Sequence, residues 1–154
     1  MNALDLLIQD HEKVSELFEQ VEATEDRAQH VELFKQIKQE LEIHTHIEET
    51  VFYPALQAKG NEELTEIVLE GIEEHHQAKI FLREIDGLSE NSEKFDAKLK
   101  VLMEDVEHHV DEEENEMFSL VEEVCSEEEL EEIGARLEEE KQSFKKSLQA
   151  GAGR

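Results

Sequence analysis

The stretch His44-Thr45-His46-Ile47-Glu48-Glu49-Thr50-Val51-Phe52-Tyr53-Pro54-Ala55-Leu56 decides how this chain folds. Four positions separate His44 from Glu48. At about 100° per residue the two side chains point the same way, one helical turn apart. The apolar stripe through them runs Leu33, Ile37, Leu41, His44, Glu48, Val51, Ala55. Two side chains able to ligate a metal therefore occupy core positions. A buried carboxylate costs on the order of several kcal/mol unless it is paired, and a cation is the strongest partner available.

The flanking segments repeat this pattern. A first helix from Asn2, an N-cap residue, to about Ala23 carries the stripe Leu4, Leu7, His11, Val14, Phe18, Val21. The second runs from about Ala28 to Ala58, where Pro54 is expected to kink it or loosen its last turn. The third, from about Glu62 to Asp86, carries Leu64, Val68, Gly71, His75, Ala78, Leu82, Ile85. The fourth, capped by Ser92 and reaching about Val124, carries Phe95, Leu99, Leu102, Val106, His109, Glu113, Met117, Leu120. Ser126 and Glu129 form a capping box for a fifth helix, read as short and acidic, with a frayed Gly-Ala-Gly-Arg tail. The predicted architecture is all-α: an up-down-up-down four-helix bundle over residues 1–124, with a short additional helix and flexible tail over 125–154 packed on or beside it.

Each long helix thus holds one mid-stripe histidine, and antiparallel packing brings mid-helix positions to one level. His11, His44, His75 and His109 are expected to converge, with Glu48 and Glu113 one turn from two of them. A lone histidine on an apolar stripe is more often a hydrogen-bonded core residue than a ligand. Four at matching depth, two with a glutamate at i+4, reverse that reading. Two helices giving His and Glu, and two giving one His each, make a shared two-metal site with bridging carboxylates. The second and fourth helices are aligned by His44, Glu48, Phe52 against His109, Glu113, Phe118. Anchoring on Phe118 instead selects Glu114, which requires a π-bulge. His30, His46, His76 and His108 are assigned to the surface or to positions behind the ligands, and Met103 and Met117 to core filling. Without metal, Glu48 and Glu113 are expected to face each other as like charges and take up a proton.

The composition narrows the partners. Acidic residues number 42 against 15 lysines and arginines, a formal charge of −27. This argues against nucleic acid and against anionic membranes. The apolar fraction of 38% is periodic and sufficient for a core. Cys125 is the single cysteine, so no internal disulfide forms. No stretch reads as a signal peptide or membrane span, and a reducing, cytoplasmic setting is expected.

The chain resembles the hemerythrin-like (HHE cation-binding) family. The resemblance rests on Asp10-His11, on His44 through Leu56, on Glu74-His75 with Lys79 and Phe81 through Ile85, and on His109 through Phe118. It implies a non-haem di-iron centre of two iron ions, oxo- or hydroxo-bridged, that meets a small-molecule ligand such as dioxygen or peroxide. The implied roles are oxygen, redox or iron sensing, peroxide removal, or slow oxidoreductase or catalase-like turnover. The implied ligands are His11, His44, Glu48, His75, His109 and Glu113. Oxygen-carrying members have a second histidine four residues from the first on the third helix, where this chain has Gly71 and Lys79. They also end in His-x-x-x-x-Asp, where this chain has glutamates. Both departures argue against reversible oxygen carriage. The alternatives are a structural metal-binding bundle and an iron-handling protein; for the latter only Glu73-x-x-His76 fits the ferritin-type motif.

Overall fold

The computed structural model describes residues 1–152, and every regular element among them is helical. Four rods form the up-down-up-down bundle: α1 (Ala3–Glu22), α2 (residues 27–57), α3 (Glu62–Asp86) and α4 (residues 94–124). A fifth helix, α5 (Glu127–Ala152), lies against α1 and α2. Polar side chains start α1, α2 and α3, whereas α4 begins after Glu93, which makes no side-chain cap bond, rather than at the expected Ser92. Asn2, Asp26 and Asn61 accept from the backbone N–H groups of Asp5, Ala28 and Leu64. Ser126 and Glu129 exchange the two bonds of the capping box. No helix among the described residues is long and apolar enough to cross a membrane.

The last helix corrects the sequence reading. It has 26 residues and is the longest unbroken helix described. Gly151 and Ala152, expected in a frayed tail, are still helical; Gly153 and Arg154 lie outside the described residues. Leu130, Ile133 and Leu137 supply one apolar stripe that enters the core, leaving the acidic residues on the outer faces. Gly134 lets the start of α1 cross close by, since a Cβ there would strike the Met1 carbonyl oxygen.

The apolar residues divide into two clusters. One gathers Leu4, Leu7, Ile47, Phe52, Tyr53, Leu64, Val68, Phe118, Val121 and the α5 stripe. The other gathers Val14, Phe18, Phe34, Ile37, Leu41, Leu82, Ile85, Phe95, Leu99 and Val106. His11, His44 and Glu48, His75, and His109 and Glu113 each sit along their helix between residues of the two clusters. A polar layer therefore crosses the bundle at mid-height.

Both α2 and α4 change winding at that layer. In α2, α-helix Arg27–Ile47 passes through a π-helical turn, Glu48–Phe52, into Tyr53–Gln57. In α4, Lys94–Glu112 passes through the π turn Glu113–Met117 into Phe118–Val124. The N–H of Tyr53 bonds to the Glu48 carbonyl and that of Phe118 to the Glu113 carbonyl, five residues back in each case. Pro54 is therefore not the cause of the irregularity in α2, because α4 has the same turn without a proline. The turn corrects the side-chain register instead. Nine residues of straight α-helix would put Tyr53 about 180° from His44, and one residue absorbed by the π turn brings it back to about 80°.

Candidate metal centre

All six expected ligands meet in the polar layer. His11, His44, Glu48, His75 and Glu113 are buried, and His109 is nearly so. The histidines converge through Nε2. His11 Nε2 lies 3.2 Å from His44 Nε2 and 3.3 Å from Glu113 Oε1. Glu48 Oε1 lies 2.9 Å from His44 Nε2 and 3.2 Å from His75 Nε2. Glu113 Oε2 lies 3.4 Å from His109 Nε2. Two donor sets result, His11–His44–Glu113 and Glu48–His75–His109–Glu113, each close enough to hold one ion and sharing Glu113. Glu48 reaches the histidines of both sets, so each carboxylate spans the two positions.

The other ring nitrogens explain this orientation. Nδ1 of His11 donates to Glu114 at 2.6 Å, and that of His44 to Asp10 at 3.1 Å. Nδ1 of His75 donates to Glu49 at 2.9 Å, and that of His109 to Glu74 at 2.8 Å. Each bond places the proton on Nδ1 and leaves the Nε2 lone pair facing inward. The pattern is a pseudo-twofold: the acid before the histidine on α1 or α3 holds the next helix's histidine. The acid after the inward glutamate on α2 or α4 holds the histidine of α3 or α1.

These four carboxylates do not emerge as a group from the helical stripes of the sequence. The available signal was an acid beside four of the six proposed ligands: Asp10-His11, Glu48-Glu49, Glu74-His75 and Glu113-Glu114. The pseudo-twofold also settles the alignment of α2 with α4. Tyr53 stacks on His75 with ring centres 5.4 Å apart, and Phe118 stacks on His11 at 6.3 Å. Tyr53 is thus the counterpart of Phe118, and Phe52 that of Met117. Glu113 and Glu114 match Glu48 and Glu49 without a gap, so the π turn does not exchange Glu113 for Glu114 but gives both a place.

Tyr53 also reaches the polar layer, where its ring lies against Gly71 of α3. Its hydroxyl donates to Glu113 Oε2 at 2.9 Å and lies 3.3 Å from His75 Nε2. A Cβ at Gly71 would stand 2.9 Å from that oxygen, so only glycine leaves the phenol its position. Burial, with Glu113 and Glu48 close by, pushes the phenol well above its ordinary range and keeps it protonated.

The donor set fits cations. Both oxygens of Glu48, Oε1 of Glu113 and Nε2 of His109 are buried without a hydrogen-bond partner. Inward lone pairs of His11 and His44, 3.2 Å apart, repel unless a proton or a metal lies between them. Around neutral imidazoles, six carboxylates and the ammonium groups of Lys79 and Lys141 leave four negative charges. Two divalent cations balance that charge. Protons substitute when no cation is bound. Burial opposes the imidazolium of His109, but Glu113 and Glu74 outweigh it and raise its pKa to about 10. Burial likewise pushes the Glu113 carboxyl up, yet the closeness of Glu48, His109 and His11 holds it well below the usual carboxylate range. Of the two carboxyls expected to take up a proton, Glu113 is thus the one held ionised.

The remaining histidines do other work. His30, expected at the surface or behind the ligands, is buried at the far end of the bundle. It bonds Asp96 through Nδ1 and the carbonyls of Thr24 and Val21 through Nε2. His46 bonds Glu140 at 2.8 Å and stacks on Phe144, tying α5 to α2. His76 and His108 are exposed.

Residues 2–121 match the Hemerythrin HHE cation binding domain. The chain belongs to this family. An HHE-domain crystal structure, that of a hemerythrin HHE cation binding domain-containing protein of Mycobacterium kansasii, superposes with a TM-score of 0.78. It is 28% identical, over 97% of this chain and 93% of that one. An uncharacterized hemerythrin-like protein of Schizosaccharomyces pombe is 30% identical over 81% of this HHE chain. A protein of Nostoc sp. named as a DNA nickase is 29% identical over 96% of it. The chain spans 62% and 41% of the lengths of these two relatives, respectively.

Proposed function

We propose that this HHE protein holds two iron ions and uses them to react with dioxygen or peroxide. The observation that carries the reading is the pair of donor sets, each with two inward Nε2 atoms and joined by Glu113 and Glu48. Mixed imidazole and carboxylate donors suit iron, zinc or manganese alike, and family membership favours iron. Bound iron would supply redox and Lewis-acid chemistry toward oxygen species.

The chain supplies the surroundings. His11 and His44 would hold one ion and His75 and His109 the other, with Glu48 and Glu113 shared. The four outer carboxylates hold the imidazoles in register. Tyr53 carries a proton beside Glu113. A cavity of about 240 Å³ reaches the histidine layer between Val14, Leu41, Ala78 and Val106, and its rim includes Gln77, Asp105 and His108. Its mostly apolar walls admit small molecules while limiting bulk water at the histidines. This supports peroxide or dioxygen chemistry over a purely structural metal. The formal charge of −27 favours neutral small ligands over polyanions, so the activity in the Nostoc relative's name is not carried to this chain.

The test is elemental analysis after anaerobic iron loading, followed by near-ultraviolet and visible spectra on adding dioxygen or hydrogen peroxide. Two irons per chain, with irreversible oxidation or gas evolution, support the reading. A band that reverses when oxygen is removed indicates a carrier. No spectral response indicates a structural metal, and one zinc without iron overturns the di-iron assignment.

A further inference from the structure

The helix beyond the matched residues 2–121 reaches into the metal centre. Lys141 on α5 places Nζ 2.5 Å from Asp10 Oδ1, and the two side chains are only 15% and 7% exposed. The other oxygen of Asp10 accepts from His44 Nδ1 at 3.1 Å. Lys79 stands in the related place for the other half, 2.9 Å from Glu49, which holds His75. Among the described residues, Glu114 and Glu74 pair with no lysine or arginine. Each donor set therefore contains one histidine whose carboxylate partner is itself clamped by a cation.

We propose that Lys141 is a positioning residue for the His11–His44–Glu113 half of the centre, which makes α5 part of the metal site. The inference rests on the two-cation reading of the donor sets. Asp10 without Lys141 would be a buried carboxylate with one oxygen unpaired, so it would turn toward water. That turn removes the acceptor that directs His44 Nε2 inward. Loss of such an outer partner typically weakens metal binding ~10–100-fold. The helix itself does not depend on Lys141. Leu130, Ile133 and Leu137 are buried in the core, and Glu140 and Phe144 engage His46. Removing the lysine head group should leave α5 docked.

The experiment titrates metal-free protein with cobalt(II), following its visible bands and its competition with a chelator of known affinity. Wild type is expected to bind two ions. In Lys141→Met one ion weakens ~10–100-fold with an altered band while the other is retained. Lys141→Arg restores most of the lost affinity. Glu140→Gln, which removes the charge from a neighbouring α5 contact, leaves both ions unchanged. Adding Lys79→Met to Lys141→Met weakens both ions. Two results overturn the inference: wild-type affinity in Lys141→Met, or equal weakening of both ions in Lys141→Met and Glu140→Gln, which would show loose helix docking alone. Wild-type protein that binds no cobalt, or one ion only, overturns the two-cation reading and this inference with it, and does so before any variant is made.

Discussion

Gly71→Ala tests the placement of the Tyr53 hydroxyl against α3. The added Cβ would lie 2.9 Å from Tyr53 Oη and 3.3 Å from Cζ. The phenol has little freedom to yield, because it is 1% exposed, bonded to Glu113 and stacked on His75. Overpacking of this kind costs ~1–3 kcal/mol. Replacing glycine by alanine in a helix interior returns ~1 kcal/mol. Gly71→Ala should therefore destabilise the metal-free protein by about 1 kcal/mol net. In a Tyr53→Phe background the oxygen is gone and the closest remaining contact is near 3.3 Å. There the same substitution should fall within ~0.5 kcal/mol of neutral, giving a coupling of roughly 1 kcal/mol between the sites. Urea unfolding of the four proteins, with chelator present, closes the cycle. A stabilising Gly71→Ala in wild type, or an equal cost in both backgrounds, would refute the placement of the phenol.

Glu113→Ala should abolish binding of at least one ion, whereas Glu114→Ala should keep metal with affinity lowered ~10–100-fold at the His11 position; the reverse order in a metal titration would contradict the assignment. In metal-free protein the raised pKa of His109, about 10, means its contribution is full below about pH 6.5 and is lost as pH climbs toward 10. Melting temperature should fall across that window, and a flat profile would count against imidazolium–carboxylate pairing. His30→Ala should cost ~1–3 kcal/mol with metal content unchanged. Because Asp96 and the Thr24 carbonyl outweigh burial and raise the His30 pKa, that cost should be larger at pH 5 than at pH 9; a pH-independent cost would show a packing role only. Val106→Phe should fill the cavity and slow reaction of the iron-loaded protein with peroxide at full iron content. An unchanged rate would mean that small molecules enter elsewhere.

The sequence by itself determined the bundle and which six histidine and glutamate side chains face inward at one level. A helical stripe tolerates histidine and glutamate at core positions only if something pairs with them, and the 3.6-residue period states which positions those are. The starts of α1 and α5 were equally legible, because Asn2 and Ser126 act on backbone groups three residues away; Ser92, the expected cap of α4, instead lies one residue before the N-cap Glu93, which makes no side-chain cap bond. Tertiary structure decided everything that depends on contact between helices. Asp10 follows from α1, yet its partners are His44 on α2 and Lys141 on α5, and no periodicity within one helix specifies that register. The place of Tyr53 needed the π turn, a change of winding that returns a residue from the far face of α2 to the site. It needed also the absence of a side chain at Gly71 on α3. The length of α5 was hidden for a related reason. Its acidic residues dominate the local pattern, and Leu130, Ile133 and Leu137 form a helix-stabilising face only once α1 and α2 present an apolar surface to receive them.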